Sequence, residues 1–396
     1  MSPIISSLSN NWTSSGGEAP LILPGNDDEL YYVANTYAAK ANSSFNGWDW
    51  SISFTTNTSF PATMGDVIAS PDGTLWGYTS QGSYIKAFKL SDGTQGSSAQ
   101  LNQTIRGLCT SRNGYAVIFN SAGILVCSIN NSGSWSLVSS GLGSVGRVES
   151  CVSPPPYSTS NLGDKTNLGS TGDSNGAAKI AFVDKNASGG STVRTININA
   201  NGTMSNYQSS STQGLNGFVS YYPNGDIAFL EQEVSSSNSV MRRFYNGNVS
   251  MSGTYGAFWP FGPGISEQVQ HFQPAPDGRF VASFRYDSGL TAYNIWESNK
   301  YTDSDPYGYN KSDQYAGTSA LLYVNGMAFS GGKFWWCGYE DGKQMWYRSL
   351  SGTSIDWTGN PSSLAAPSSW SGSAVGMVAL TGRPKWAEYD HALNQW

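Results

Sequence analysis

The chain has 396 residues, of which 12% are charged, 13% aromatic and 46 are glycine, and its formal net charge is −6. So few charges exclude coiled coils and helical bundles, and aromatics at this density exclude a disordered chain. An acidic balance without clustered Lys or Arg excludes a nucleic-acid binder, and no apolar run reaches the roughly eighteen residues of a membrane span.

Residues 1–10 carry neither a basic stretch nor a long apolar run, so no signal peptide is expected in this sequence. Low charge, few Lys and abundant Ser, Asn and Thr nevertheless favour an extracellular, secreted protein. Residues 10–14, around Trp12, read as a spare outer strand.

From there a unit recurs: a turn with Gly, a short aromatic or β-branched strand, a second turn and another strand. Its copies are Gly25 before 30–33, Pro71-Asp72-Gly73 before 74–78, Asn113-Gly114 before 115–119, and Gly176 before 179–183. Asn224-Gly225 before 226–230, Asp277-Gly278 before 279–284, Gly331-Gly332 before 333–337 and Gly382 before 385–389 complete the series. The anchoring glycines lie 41 to 62 residues apart and average 51. No segment sustains apolar residues at i, i+3, i+4 and i+7, so helical repeats are excluded. Four strands with their turns need about forty to fifty residues, the size of one propeller blade. The expected fold is therefore all-β, a single-domain β-propeller over residues 1–396 with seven or eight blades.

The strands of the clearest blade are expected at 104–110, 115–119, 124–129 and 135–138. Its central strands are apolar on both faces, as blades stacked face to face require. Residues 374–380, 385–389 and 392–396 are expected to supply three strands of the last blade. The N-terminal strand would complete that blade and close the ring, removing an open edge. Two stretches interrupt the period. Residues 153–178 are rich in Ser, Gly, Asn and Pro and read as a surface loop, whereas 299–319 carry Tyr and Asp suited to contact. Four cysteines without CxxC spacing are expected as buried free thiols, with a Cys109–Cys151 bridge as the alternative.

Glu29-Leu30-Tyr31-Tyr32 and Lys333-Phe334-Trp335-Trp336 repeat an aromatic strand. The second continues through Trp346-Tyr347-Arg348 to Asp356-Trp357-Thr358-Gly359, and Trp396 ends the chain. This rhythm resembles the fungal fucose-specific-lectin-like β-propeller superfamily. The resemblance implies a sugar-binding propeller whose sites use an Arg opening the second strand, a Glu in the third and aromatic walls. Arg279 matches the first position. Ile85-Lys86-Ala87, Val193-Arg194-Thr195 and Met345-Trp346-Tyr347 carry no Glu at the other, so fucose itself is not implied.

Other chemistry is sparse. His271 and His391 are the two histidines, in separate units, which leaves no metal centre and no evident triad. The acid pairs Glu231/Glu233, Glu340/Asp341 and Glu388/Asp390 fit turns and solvated rims as well as catalysis. Residues 303–313 space oxygen ligands before Gly308, but Pro306 and the missing terminal Glu argue against a calcium loop. Ser70-Pro71-Asp72-Gly73-Thr74-Leu75-Trp76 has the letters of a sialidase-type Asp box, one residue short, and reads as a β-turn.

Aromatic and guanidinium side chains gather in the last units: Trp259, Arg279, Arg285, Trp296, Trp335, Trp336, Trp346 and Arg348. An aromatic ring stacks on the apolar side of a sugar while Arg bonds its hydroxyls. The same residues would also suit packing between blades. The expected function is glycan binding, lectin-like, through such pockets between blades or on one rim, with no cofactor. The alternative is a propeller enzyme, a polysaccharide lyase, glycoside hydrolase or fungal-type pericyclase, with one small-molecule or glycan site in the central funnel. An adhesive protein contacting others through loop tips is a third class.

Overall fold

A computed structural model describes residues 29–34, 37–54, 65–72, 74–111, 114–142, 147–152, 178–185, 190–210, 214–221, 227–232, 239–244, 248–249, 254–259, 267–274, 280–286, 293–297, 324–338, 344–351, 354–370 and 377–381. Every regular element among them is a strand, as the short apolar runs between Gly and Asn turns require. The order begins with β1 (Leu30–Ala34), β2 (Tyr37–Ala41) and β3 (Trp48–Ser53). It continues with β4 (Gly65–Ala69), β5 (Leu75–Gln81), β6 (Tyr84–Lys89) and β7 (Gln95–Gln100). Next come β8 (Ile105–Thr110), β9 (Ala116–Asn120), β10 (Gly123–Ile129) and β11 (Trp135–Gly141). After these follow β12 (Arg147–Val152), β13 (Ala178–Lys185), β14 (Gly190–Ile198) and β15 (Met204–Ser209). The chain then forms β16 (Gly214–Tyr221), β17 (Ile227–Gln232), β18 (Ser239–Phe244) and β19 (Thr254–Trp259). The remainder comprises β20 (Glu267–Pro274), β21 (Phe280–Tyr286), β22 (Tyr293–Glu297), β23 (Val324–Ser330), β24 (Lys333–Gly338), β25 (Gln344–Ser351), β26 (Ser354–Ile355), β27 (Ser362–Ala365) and β28 (Met377–Thr381).

These strands form six antiparallel sheets among the described residues. The first has the order β28-β1-β2-β3, the second β4 to β7 and the third β8 to β11. The fourth joins β12–β15 to β16–β19 through a two-residue contact of β14 with β16. The fifth is β20-β21-β22, and the sixth is built on β23-β24-β25. The third sheet matches the strands expected from sequence almost residue for residue. Three C-terminal strands and one N-terminal strand were expected in a shared sheet; among the described residues, the first sheet joins β28 from the C-terminal part to β1, β2 and β3. Tyr31 pairs with Leu380 and Val33 with Val378. The strands expected at 10–14, 385–389 and 392–396, and most of the two insertions, lie outside the described residues.

Apolar faces of successive sheets pack on one another. Tyr31 and Val33 of the first sheet meet Val67 and Phe88 of the second, and Trp76 and Tyr78 of the second meet Ile105 and Ile118 of the third. Phe119 then packs on Phe182, with ring centroids 4.8 Å apart, and Val183 and Val193 pack on Phe229 and Phe244. Val281 of the fifth sheet joins Met327 and Trp336 of the sixth, whose Trp335 and Met345 pack on Leu30 and Tyr32 of the first. Strands sandwiched this way are buried on both faces, which is why all of Ala116–Asn120 is inaccessible. Cys109, Cys127 and Cys337 are buried and not disulfide-bonded, so the alternative Cys109–Cys151 bridge is not formed. Burial pushes the Cys127 thiol up to about 12, the behaviour of a small apolar side chain.

Candidate functional site

The expected binding residues divide once placed. Trp335 and Trp336 have opposite strand parity and face different neighbours. They are 0% and 1% exposed, and neither ring offers a face to a ligand. Trp335 stacks near Tyr347, centroids 4.6 Å apart, and donates Nε1–H to Ser330 O at 3.1 Å. Trp346 is half-buried opposite Trp336. Arg348 is buried and turned onto its own chain. Its Nη1 donates to Asp356 O and Thr358 O at 3.2 and 3.1 Å, and its Nη2 to Gly359 O at 2.9 Å. These four residues therefore build the inter-sheet core and hold a loop rather than line a pocket.

Of the others, Trp259 ends β19 in a rung with Ser239, and Arg285 pairs with Gln268 and Tyr293 across the fifth sheet. Trp296 pairs with Ala282, three register positions from Arg285 along β21. Arg279, His391 and residues 303–313 lie outside the described residues, and His271 pairs with Ser283 within β20 and β21. Ser70 to Thr74 form the expected turn. Asp72 accepts from the Ser70 hydroxyl at 2.7 Å and from Thr74 N–H at 3.0 Å.

An exposed aromatic–guanidinium site does exist, on the fourth sheet. Arg194 in β14 bridges to Asp184 in β13, with Nη2 and Oδ2 3.0 Å apart. Its guanidinium carbon lies 5.5 Å from the centre of the Tyr207 ring in β15, and its Nη1 donates to the Tyr207 hydroxyl. Three features of the sequence put these side chains together. Asp184 pairs with Thr192 and Phe182 with Arg194, so period-two alternation gives Asp184 and Arg194 one face. Thr195 pairs with Gln208 but Asn197 with Ser205, so β15 carries one extra residue there. Arg194 pairs with Ser209, two residues from Tyr207, so alternation also gives Tyr207 the face of Arg194; the bulge follows at Asn206, whose φ of 49° is in the left-handed region.

Asp184 is nearly sealed, its side chain 7% exposed against 32% for Arg194, and the Tyr207 residue is 38% exposed. Burial raises the Tyr207 phenol above its usual pKa, against the pull of Arg194, so the hydroxyl is neutral. Asp184 Oδ1 and Arg194 Nε are both buried without a hydrogen-bond partner. Leu137 and Val138 of β11, Leu142 just after it and Tyr207 of β15 are the large apolar residues exposed among those described. Ser139 donates to Gly202 O at 2.6 Å, which holds β11 against the turn entering β15. The site can offer a ligand an aromatic platform and a guanidinium, with the sealed carboxylate holding the guanidinium from behind. A second aromatic ion pair, Lys40 with Glu29 at 2.7 Å beside Tyr31, lacks this access because Tyr31 is 1% exposed.

Sequence reasoning noticed Val193-Arg194-Thr195 only for its missing Glu. The hairpin Asn201-Gly202-Thr203 signals that β14 and β15 pair. The register that pairs Arg194 with Ser209, and so sets Tyr207 on its face, leaves no composition signal.

No protein-family model matches the chain, and no curated protein matches it. Solved structures do. The chain is similar to the β-propeller domain of Cps50 (Swd1) from Myceliophteria thermophila, with a TM-score of 0.51, 10% identity, and coverage of 86% of this chain and 96% of that one. It is similar to Kluyveromyces lactis Hsv2 at a TM-score of 0.51 and 11% identity, covering 82% of this chain and 90% of that one. Dihydro-heme d1 dehydrogenase NirN, in complex with DHE, matches 89% of this chain at a TM-score of 0.50 and 11% identity, and this chain spans 66% of its length. At such identities the likeness speaks to architecture alone, and the architecture is a β-propeller.

Proposed function

We propose that the chain is a seven-bladed, secreted, carbohydrate-binding propeller that holds a glycan on the rim formed by β11, β14 and β15. Seven blades are supported by the strands that open each unit. β28 lies beside β4, β4 beside β8, β8 beside β12, β12 beside β16, β16 beside β20, β20 beside β23, and β23 beside β28. The eighth glycine anchor has a simple origin. Gly382 follows β28 and Gly25 precedes β1, so both flank one strand pair and count one blade twice.

The observation that carries the binding function is the exposed Tyr207 ring over Arg194, which the buried Asp184 carboxylate fixes in place. Sugar rings present an apolar face to an aromatic and a ring of hydroxyls to charged partners, and this set matches both. Among the described residues there is one such site, where the resemblance to lectins implied several. Strength on a glycan-bearing surface would then come from clustering of whole molecules rather than of blades.

The test is a glycan array probed with the full chain and with Tyr207→Ala and Arg194→Ala. A related set of glycans bound by the native protein, and weakened at least tenfold by either substitution, is expected. A blank array overturns the reading and directs attention to the central funnel, where an enzyme would bind its substrate.

A further inference from the structure

We infer that the Arg194–Tyr207 site takes a sugar bearing a carboxylate, such as a uronic or sialic acid, in preference to a neutral one; this rests on the carbohydrate reading above and names its ligand class. The two members of the ion pair are not equally presented. The Arg194 side chain is 32% exposed and that of Asp184 7%, with Nη2 and Oδ2 3.0 Å apart. Coulomb attraction falls with distance, so a ligand that meets the guanidinium from solvent feels the cation more strongly than the carboxylate sealed behind it. The chain as a whole carries −6, which opposes a polyanion at long range but is screened over about 8 Å at physiological salt.

Hydrogen-bond supply points the same way. A guanidinium carries five N–H groups. One sits at the buried Nε, one faces Asp184 from Nη2, and one goes from Nη1 to the Tyr207 hydroxyl. One N–H on each Nη nitrogen is left. The Tyr207 oxygen receives its bond from Arg194 and keeps its own proton, because burial raises the phenol above its usual pKa. The groups these two side chains still offer are therefore all donors. A carboxylate accepts several such bonds at once and makes them charge-assisted, whereas a sugar hydroxyl must also place a proton of its own.

The apolar surface comes from two sheets. A Cβ on Gly202 would lie 2.4 Å from Val138, and one on Gly141 would lie 3.1 Å from Met204 Cε. The chain from Gly202 into β15 therefore runs beside β11 in the same direction, and Leu142, just past β11, lies toward the Tyr207 end of the rim. Leu142 is exposed with a φ of 69°, a left-handed conformation that is costly for a leucine. Leu142 and Tyr207 supply surface for the sugar ring, and Arg194 the charge for its acid group.

The experiment titrates the full chain with two pairs of probes that differ in charge alone: oligogalacturonate against its methyl ester, and sialyllactose against its methyl ester. In at least one pair the acid should bind about fivefold or more tightly than the ester, since charge-assisted bonds are roughly twice as strong as neutral ones. Tyr207→Phe keeps the ring and removes the O–H, and should shrink that ratio about twofold. Arg194→Gln should bring the ratio to about one, with the folding of both variants checked by circular dichroism. Should Arg194→Gln not fold, the ratios of the native chain and of Tyr207→Phe decide. Tyr207-dependent binding in which the ester equals or exceeds the acid, or which is confined to neutral members of the glycan array, overturns this inference and leaves the carbohydrate reading standing. No Tyr207-dependent binding to any glycan overturns the carbohydrate reading itself.

Discussion

Arg348 shows how a side chain can serve the fold while looking like a binding residue. Its guanidinium reaches three backbone carbonyls within the segment 356–359 and lies 5.4 Å from the centre of the Trp357 ring. A loop has no ladder partners for such carbonyls, so a buried cation that collects them substitutes for a strand. Removing the guanidinium leaves those oxygens unpaired in a partly dry place. Arg348→Ala is expected to cost about 3 kcal/mol, since each lost charge-assisted bond contributes roughly 1.5–3 kcal/mol and water recovers part of it. Arg348→Lys should recover little, because an ammonium cannot span three acceptors in the guanidinium plane. Urea unfolding of the three proteins measures this, and an unchanged midpoint for Arg348→Ala would show that the loop holds itself. At this scale the sequence is a poor guide. Arg in an aromatic neighbourhood is legible, but whether it bonds solvent, ligand or its own loop depends on a turn several residues away.

At the scale of the element, the turn between third and fourth strands is the most legible feature and the most telling about packing. Asp92-Gly93-Thr94, Ser132-Gly133-Ser134 and Asn201-Gly202-Thr203 repeat it, each with its glycine at φ between 75° and 78°. In the first and third, the Asp or Asn side-chain oxygen accepts from the Thr N–H two residues on; in the second, Asn130 accepts from Ser132 and Ser134. Such Asx turns need the left-handed glycine, so the sequence announces them. It does not announce what they touch. A Cβ on Gly133 would lie 2.6 Å from the Trp76 ring and 2.8 Å from Gly96 Cα, both in the preceding sheet. A Cβ on Gly202 would lie 2.4 Å from Val138 of the sheet before. Each turn therefore seats on its neighbour, and the glycine permits both the conformation and the approach. Gly133→Ala should cost about 3 kcal/mol, from a left-handed alanine plus a clash against backbone and indole. Gly332→Ala is the control, with φ at +66° and nothing within 4 Å of its Cβ, and should cost about 1 kcal/mol. Thermal melts of the two variants separate backbone cost from sheet contact. Equal losses would mean that the seating of turn on sheet adds nothing.

For the whole molecule, the repeat of turns and strands made an all-β propeller readable from the chain, because each hairpin is local and carries its own punctuation. The pairing of distant ends is not readable in the same way, because no local pattern encodes it. Leu30 pairs with Thr381 across nearly the full length of the chain, and period-two alternation cannot say which distant strand will lie alongside. Two kinds of contact join the ends. One is the strand pair β1–β28, five residues in register. The other is a set of side-chain bonds between the first and sixth sheets: Trp48 Nε1 donates to Ala365 O at 3.0 Å, and Ser330 Oγ to Glu29 O at 3.1 Å. Their weights differ. A single neutral hydrogen bond contributes about 1 kcal/mol, so Trp48→Phe should lower stability by roughly that amount and leave one cooperative melt. Deleting residues 377–396 removes one of the two partner strands of β1, a strand whose Leu30, Tyr32 and Val33 are fully buried, and lays that edge open to other chains. The truncated protein should lose its cooperative melt and elute from a sizing column as aggregate. A truncated chain that stays monomeric and melts at the native temperature would mean that the side-chain bonds, and not the shared sheet, hold the ends together.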